Sequence, residues 1–454
     1  MRIAIVGSGI SGLTAGYLLH RHHQITLLEA LPTLGGHTHT VQVEHAGNRW
    51  NMDTGFMVYN TRTYPLFSRL LNVLGVKTQP SDMSFGVSCE RTGWEYCGSD
   101  FNSLFAQRVN LLRPRFWGML AEILRFNRLA PRLLNEPVEP TLGQYLQAER
   151  FGTAFTELYL LPMAAAIWSA DPRDILNLPA RFFVRFFVNH GLLQLQDRPV
   201  WRVIIGGARN YVEALTAPWV SSIRLNSPVR RVERHASGVL VTSTGNQAEH
   251  FDQVIFATHS DQTLRILADA TPAEREILSC LPYQSNRAIL HTDTRLLPRS
   301  RRAWASWNYR VSRSSGQPAA VTYWLNRLQS LDAPVEFLCS LNPERDIDPR
   351  RVIRELTFEH PIFTAAGISA QARHGEISGH NRTHYCGAYW RNGFHEDGVW
   401  SAMRVARGLG VDGEAEFNLA EGPSNVTSRE KAQVTTDASM KGKNPLPVYS
   451  FAGY

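Results

Sequence analysis

The sequence predicts an α/β fold in which a parallel-sheet unit is interleaved with a helix-rich α+β insertion. Three observations carry that expectation. An apolar strand pattern, Arg2 to Val6, runs into the glycine turn Gly7-Ser8-Gly9-Ile10-Ser11-Gly12, then a helical stretch, then a second strand ending at Glu29. Strand, helix and strand in that order argue for parallel pairing. Period-2 alternation returns across 222–258, as in Gly238-Val239-Leu240-Val241-Thr242, and a strand–turn–helix pattern returns at about 383–408. Between them, 100–195 is arginine-rich, aromatic and helical in pattern.

The 454 residues are 43% hydrophobic and 19% charged, an ordinary globular balance that excludes disorder, collagen and coiled coil for the bulk of the chain. No apolar run reaches the roughly 18–20 residues that span a bilayer. The first strand begins one residue after Met1, so no secretory leader is expected. Five cysteines without a CxxC pair argue against a disulfide framework or a zinc site. A cytoplasmic protein is expected, with no metal. The net charge of +7 is arginine-borne, since only Lys77, Lys431, Lys441 and Lys443 are lysines. No nucleic-acid module accompanies that charge, and no nucleic-acid partner is expected.

The first turn has the parts of a dinucleotide site. Gly7 permits the tight turn, Gly9 lets a pyrophosphate approach the backbone, and Gly12 lets helix and strand pack closely; Ser8, Ile10 and Ser11 supply N–H groups at a positive helix end. Glu29, followed by Ala30, ends the second strand and is placed to accept from ribose hydroxyls, which disfavours a 2′-phosphate. Soon after comes Leu34-Gly35-Gly36-His37-Thr38, a second set of backbone donors. Asp53-Thr54-Gly55-Phe56 follows another alternating stretch.

With these residues in place the sequence resembles the flavin amine oxidase superfamily, which includes protoporphyrinogen oxidases and carotenoid desaturases. The resemblance implies noncovalent FAD in a Rossmann-like domain. It departs at His37, where the superfamily carries an arginine. The block Pro228-Val229 to Ala257-Thr258 resembles the central adenine-side unit, with the Val229 backbone at the adenine. Cys386-Gly387-Ala388 and Gly393-Phe394-His395-Glu396-Asp397-Gly398 resemble the closing motif, which implies isoalloxazine contacts at Phe394 and His395. The stretches Asp53–Asn60, Ser81–Phe85, Asn189–Leu193 and Ser306–Tyr309 narrow the resemblance to a bacterial branch of predicted NAD/FAD-binding oxidoreductases associated with cyclopropane-fatty-acid synthase, which implies an acyl lipid substrate.

The cofactor domain is expected from 1–90, 200–290 and 375–410, the substrate domain from 91–199 and 291–374, and a flexible or non-native tail from 411–454. The expected reaction is dehydrogenation of a hydrophobic, fatty-acyl or lipid substrate with hydride passing to the flavin. Amine oxidation, redox-neutral double-bond isomerisation and a non-catalytic FAD-binding partner of a lipid methyltransferase stay open. The resemblance implies a lysine near the flavin in amine oxidases, yet the body carries only Lys77. Arg287, His291 and Asp293 are polar candidates on the corresponding strand, and His190 either moves a proton or caps a helix. No catalytic base is assigned. Phe182–Val188 is either a tunnel wall or a packed helix core. Trp168, Trp307, Tyr323 and Trp324 are either tunnel rings or core. In 108–132, Phe116, Leu120, Ile123 and Leu124 share one helical face and Arg125, Arg128 and Arg132 another. Six arginines stand there against Glu122. This is either a solvated arginine face or a peripheral contact with the inner face of the membrane.

Overall fold

The computed structural model describes residues 1–421 except 195, 246, 314–319, 344 and 346. Its central sheet has five parallel strands in the order Ile223–Arg224, Gln24–Leu28, Arg2–Val6, Gln253–Phe256, Thr383–Tyr385. Ile5 lies between Leu27 and Ile255 in register. Strands in the middle of such a sheet are covered on both faces, which is why Arg2–Val6 reads as a run of apolar residues and not as an alternation. The first helix, Ile10–Leu19, is buried along its whole length. A helix apolar all round must be enclosed, and the closing helix, His395–Gly408, supplies part of the cover.

A three-stranded antiparallel unit, Val229–His235, Gly238–Ser243 and Glu249–Phe251, flanks this sheet. The second large layer is a seven-stranded mixed sheet in the order Val352–Pro361, Tyr283–His291, Leu338–Leu341, Ala320–Trp324, Trp307–Val311, Phe85–Cys89, Glu95–Cys97. Phe85–Cys89 and all but the last residue of Tyr283–His291, expected within the cofactor domain, are therefore hydrogen-bonded into the other layer. The chain changes layer earlier than composition suggests, because strand pairing is a long-range property. Helices between residues 101 and 189 form the third layer, around a core that includes Phe116, Phe126, Phe155, Phe183 and Phe187.

The expected tail boundary needs correction. Folded structure continues past 410 through the helix Gly413–Glu421. Val411 and Phe417 are buried in the core of the first and closing helices. Glu416 accepts from His22 at 2.7 Å, Glu414 pairs with Arg69, and the Arg69 guanidinium lies 5.6 Å from the Phe417 ring centre. Residues 422–454 lie outside the described residues. Emptying a buried aromatic site costs about 3–5 kcal/mol. Phe417→Ala is therefore expected to lower the thermal unfolding midpoint, measured by circular dichroism, although the site lies in the stretch that composition reads as tail.

Candidate functional site

The glycine turns meet face to face. The Gly7 N–H donates to the Leu28 carbonyl (3.0 Å) and the Gly35 N–H to the Ser8 carbonyl (3.1 Å). A methyl group on Gly36 would lie 3.1 Å from the Gly9 Cα, while one on Gly9 would meet no atom within 4 Å. Gly9 thus leaves bare backbone open to a ligand, and Gly36 roofs it. Gly12 packs on the Gly7 carbonyl, and Ile10 and Ser11 open the first helix. The closing helix crosses at the same point: a Cβ on Gly398 would fall 2.6 Å from Ile10 Cγ2 and 3.0 Å from Ser11 Oγ. Two helix N-termini with unpaired N–H groups therefore stand side by side.

Glu29 is buried beside them. Its Oε2 accepts from the Ser8 N–H (2.9 Å) and the Ser8 hydroxyl (2.6 Å), and its Oε1 from the Leu31 N–H (2.8 Å). A carboxylate has about four acceptor positions, so capacity is left for a ribose hydroxyl. Ala30 is exposed just beyond. The Ser227 N–H donates to the Glu29 carbonyl (2.8 Å), which brings Val229 to the same end of the sheet.

Thr38, Gly55, Phe56 and His395 come together, but not as expected. The Phe56 N–H donates to the His37 carbonyl at 2.8 Å, which locks Gly55 against that carbonyl. The His395 ring stacks on Phe56 with centres 3.5 Å apart, and its Nε2 lies 3.0 Å from both Thr38 Oγ1 and the Tyr211 hydroxyl, which are themselves hydrogen-bonded. The imidazole expected at an isoalloxazine ring is occupied inside the protein, and His395 has its backbone N–H to offer. Phe394 sends its ring the other way, 5.2 Å from Phe186. Tyr211 is a partner that no local pattern marks.

Three buried carboxylates fix this geometry. Asp53 accepts from the Ala208 N–H (2.9 Å), Thr40 Oγ1 (2.6 Å) and Gln329 Nε2 (3.2 Å), so it caps the helix Arg209–Thr216. Glu396 accepts from the Leu66 and Phe67 N–H groups (3.1 and 2.9 Å) at the start of the helix Pro65–Val73. Asp397 accepts from the Phe394 N–H (3.0 Å). Burial raises Asp53 and Glu396 to about 7 and Asp397 to about 6. The Gly387 N–H donates to Ser401 Oγ (3.1 Å). Cys386 beside it is enclosed in the core, and burial pushes its thiol up to about 12, away from thiolate chemistry.

Around the open glycine turn stand three half-buried imidazoles, His37, His259 and His360. The His37 ring centre is 5.2 Å from His360 and 6.1 Å from His259, and His259 stacks on Tyr283 at 4.0 Å. His360 Nδ1 is 2.8 Å from the Asn286 amide. Burial lowers all three, His259 and His360 to about 3. His37 Nε2 and His259 Nδ1 are shielded and have no protein partner. Among the described residues no cluster of His, Cys, Asp or Glu is arranged to hold a metal. Bare glycine backbone and two helix N-termini are what a diphosphate requires. The residues present therefore fit FAD, with His37 standing where an arginine was expected.

The other polar candidates are already engaged. Arg287 pairs with Glu355, His291 with Ser340, and Asp293 with Arg295. His190 caps its helix through the Phe186 carbonyl (3.0 Å), and burial lowers it to about 4. Lys77 is exposed. The helix Ala180–Asn189 buries Phe183, Val184, Phe186 and Phe187 and leaves Phe182 half-buried, as a packed helix does. Trp168 packs on Phe186, and Trp307 meets Tyr323 edge-on at 4.8 Å. No helix among the described residues is long and apolar enough to cross a membrane.

A family model described as flavin containing amine oxidoreductase matches residues 10–346. A curated Mycobacterium tuberculosis protein, provisionally named flavin-containing monoamine oxidase AofH, is 26% identical over 261 residues, 54% of this chain and 54% of that one. The chain thus spans about half the length of the curated relative it matches. Among solved structures, cyclohexylamine oxidase from Brevibacterium oxydans IH-35A superposes with a TM-score of 0.65 at 16% identity, covering 92% of this chain and 99% of that one. The conjugated-linoleic-acid (CLA)-producing fatty acid isomerase from P. acnes gives 0.60 at 18%, covering 89% and 98%. These likenesses show the fold.

Removing the Glu29 carboxylate takes away a charge-assisted contact worth about 1.5–3 kcal/mol. Glu29→Ala is expected to weaken FAD binding roughly ten- to a hundred-fold in a fluorescence titration of the apoprotein. Denaturing the wild type should release FAD intact. A second expectation concerns pH. Six histidines (His190, His259, His291, His360, His374 and His384) are held at about 3 or 4 in the fold against 6.5 when unfolded. Their contribution to stability is present above 6.5 and is lost as pH falls toward 4. Asp53, Glu396 and Asp397 are raised, so they act in the opposite sense. With six groups against three, the unfolding midpoint should fall between pH 6.5 and 4, as a pH series of thermal melts would show.

Proposed function

The chain belongs to the family of flavin-containing amine oxidoreductases, and from that premise we propose that it is an FAD-dependent oxidoreductase that dehydrogenates a hydrophobic, acyl-chain substrate. The observation that carries the substrate class is the wall on which Phe394 packs. Phe394 lies 5.2 Å from Phe186 and 6.5 Å from Tyr64, and Phe186 stacks on the neutral His190 at 3.9 Å. Phe182 stacks on Phe363 at 5.5 Å, and Phe363 fills the space left beside Gly393. No member of this wall carries a charge. The acids beside it, Glu396 and Asp397, are raised by burial to about 7 and 6 and already accept backbone N–H groups.

When bound, FAD would supply the two-electron acceptor for a substrate hydrogen leaving with its electron pair; the neighbouring hydrogen would leave as a proton to solvent, and a double bond would remain in the chain. The chain's own contribution is to bind, orient and exclude water. The bare turn at Gly9 and the helix N-termini beside it would hold the diphosphate, and Glu29 would hold the ribose. The N-terminus of the closing helix would favour negative charge on a flavin ring held there by about 0.3–1 kcal/mol, and by up to about 2 where it is partly buried. Amine oxidation is the second reading, favoured by the family match and the name of the mycobacterial relative.

Anaerobic incubation of the holoenzyme with membrane phospholipids separates these readings. The flavin absorbance should bleach, and mass spectrometry should find fatty-acyl chains lighter by a pair of hydrogens. Bleaching by amines with none by lipid would overturn the proposal. A moved double bond at unchanged mass would assign isomerisation instead.

A further inference from the structure

The surface helix Pro114–Leu129 is apolar on the face it turns to solvent. Its inward face is Phe116, Met119 and Phe126. Leu124, expected on that inward face, points out. The exposed positions Pro114, Trp117, Gly118, Ala121, Leu124 and Arg128 fall on one stripe, and all but the last are uncharged. The short helix before it, Arg108–Leu112, extends the stripe with exposed Val109, Leu111 and Leu112. These side chains are held out. Leu112 is 84% exposed, Phe101 65%, Leu124 54% and Trp117 46%. The Trp117 indole N–H donates to the Leu111 carbonyl (3.0 Å), which fixes one helix to the other. Phe101 and Trp117 both rest on buried Phe105, at 4.7 and 5.2 Å between ring centres.

Apart from exposed Asp100, which caps the short helix Phe101–Leu104, the charges around this patch are arginines. Arg108, Arg115, Arg128 and Arg132 are exposed at its edges, and Arg113 is half-buried between the helices. Arg125 turns away onto the Phe151 ring (4.0 Å) and the Glu149 carbonyl. Glu122 is the only acid in 101–132, and its carboxylate faces inward to the Gly152 N–H (2.8 Å). An outward apolar stripe, a tryptophan at its edge and a rim of arginines match an anionic bilayer surface in both hydrophobicity and charge. A second copy of this chain would bring the same arginines against themselves.

We propose that Phe101, the segment Val109–Leu112 and the outer stripe of the helix Pro114–Leu129 dock this protein on an anionic lipid surface. This surface is independent of the substrate reading, because vesicle binding is measured without turnover.

The test is co-sedimentation of the FAD-loaded protein with vesicles containing phosphatidylglycerol and with vesicles of phosphatidylcholine alone. Binding is expected to the first, weakening as salt is raised. Leu112→Ser is expected to cost about ten-fold or more in vesicle affinity, and Arg115→Gln about five-fold. Retained flavin colour and an unchanged melt would show that both variants are folded. No sedimentation with the anionic vesicles, or binding indifferent to Leu112→Ser, would overturn the proposal. So would a dimer in light scattering that Leu112→Ser dissociates without any vesicle binding, which would assign the face to a second copy.

Discussion

Two helix N-termini are brought into contact at a point where no side chain fits, and the rest of the molecule is arranged around that contact. Gly398 sits on Ile10, and Gly36 sits on Gly9. Each N-terminus carries roughly half a positive charge and N–H groups without partners. Two such ends pointing into one groove repel each other unless an anion or an acceptor lies between them. The protein supplies part of the compensation through Glu396 and Asp397 in the first turn of the closing helix. The rest is left to the ligand, and FAD, with its diphosphate, would supply it.

The buried carboxylates belong to the same constraint. A carboxylate inside a protein is costly unless several donors reach it. Asp53 receives N–H and O–H donors from three separate stretches of chain, and Glu396 receives two N–H donors from the start of a helix far away in sequence. Each acts as a helix cap and as a tie between segments. Glu396 thus fixes the distance of the closing helix from Pro65–Val73, which sets where Phe394 and His395 stand. The energetic cost of burying these acids is visible in how far they are raised toward neutrality.

The parallel sheet, both glycine turns and the acid at the second strand end were legible in the sequence because each is a local rule. A tight turn needs glycine, a helix start offers N–H groups, and a strand enclosed on both faces is continuously apolar. His395 stood out in the sequence, but the partners of its ring did not. Thr38 and His395 are 357 positions apart, and no periodicity reports that the ring is claimed by Phe56, Thr38 and Tyr211. The helix Gly413–Glu421 was hidden for a similar reason: one phenylalanine makes no pattern, and its burial depends on helices from both ends of the chain. The shielded histidines were half legible. His37 announced itself by standing where an arginine was expected, whereas His360 joins it through the pairing of Val352–Pro361 with Tyr283–His291 and His259 through the pairing of Gln253–Phe256 with Arg2–Val6.

One apolar core runs without a break from the inner face of the surface helix, through Phe116, Phe126, Phe183 and Phe186, to Phe394 at the head of the closing helix. The outer face of that surface helix is apolar as well. A helix greasy on both sides is unstable as a purely solvated element, since the outward side chains gain nothing from folding. Its inward face must hold it, and that face is the layer that also builds the uncharged wall beside the cofactor. The surface that would meet lipid and the wall that would meet an acyl chain are thus two sides of one helical layer.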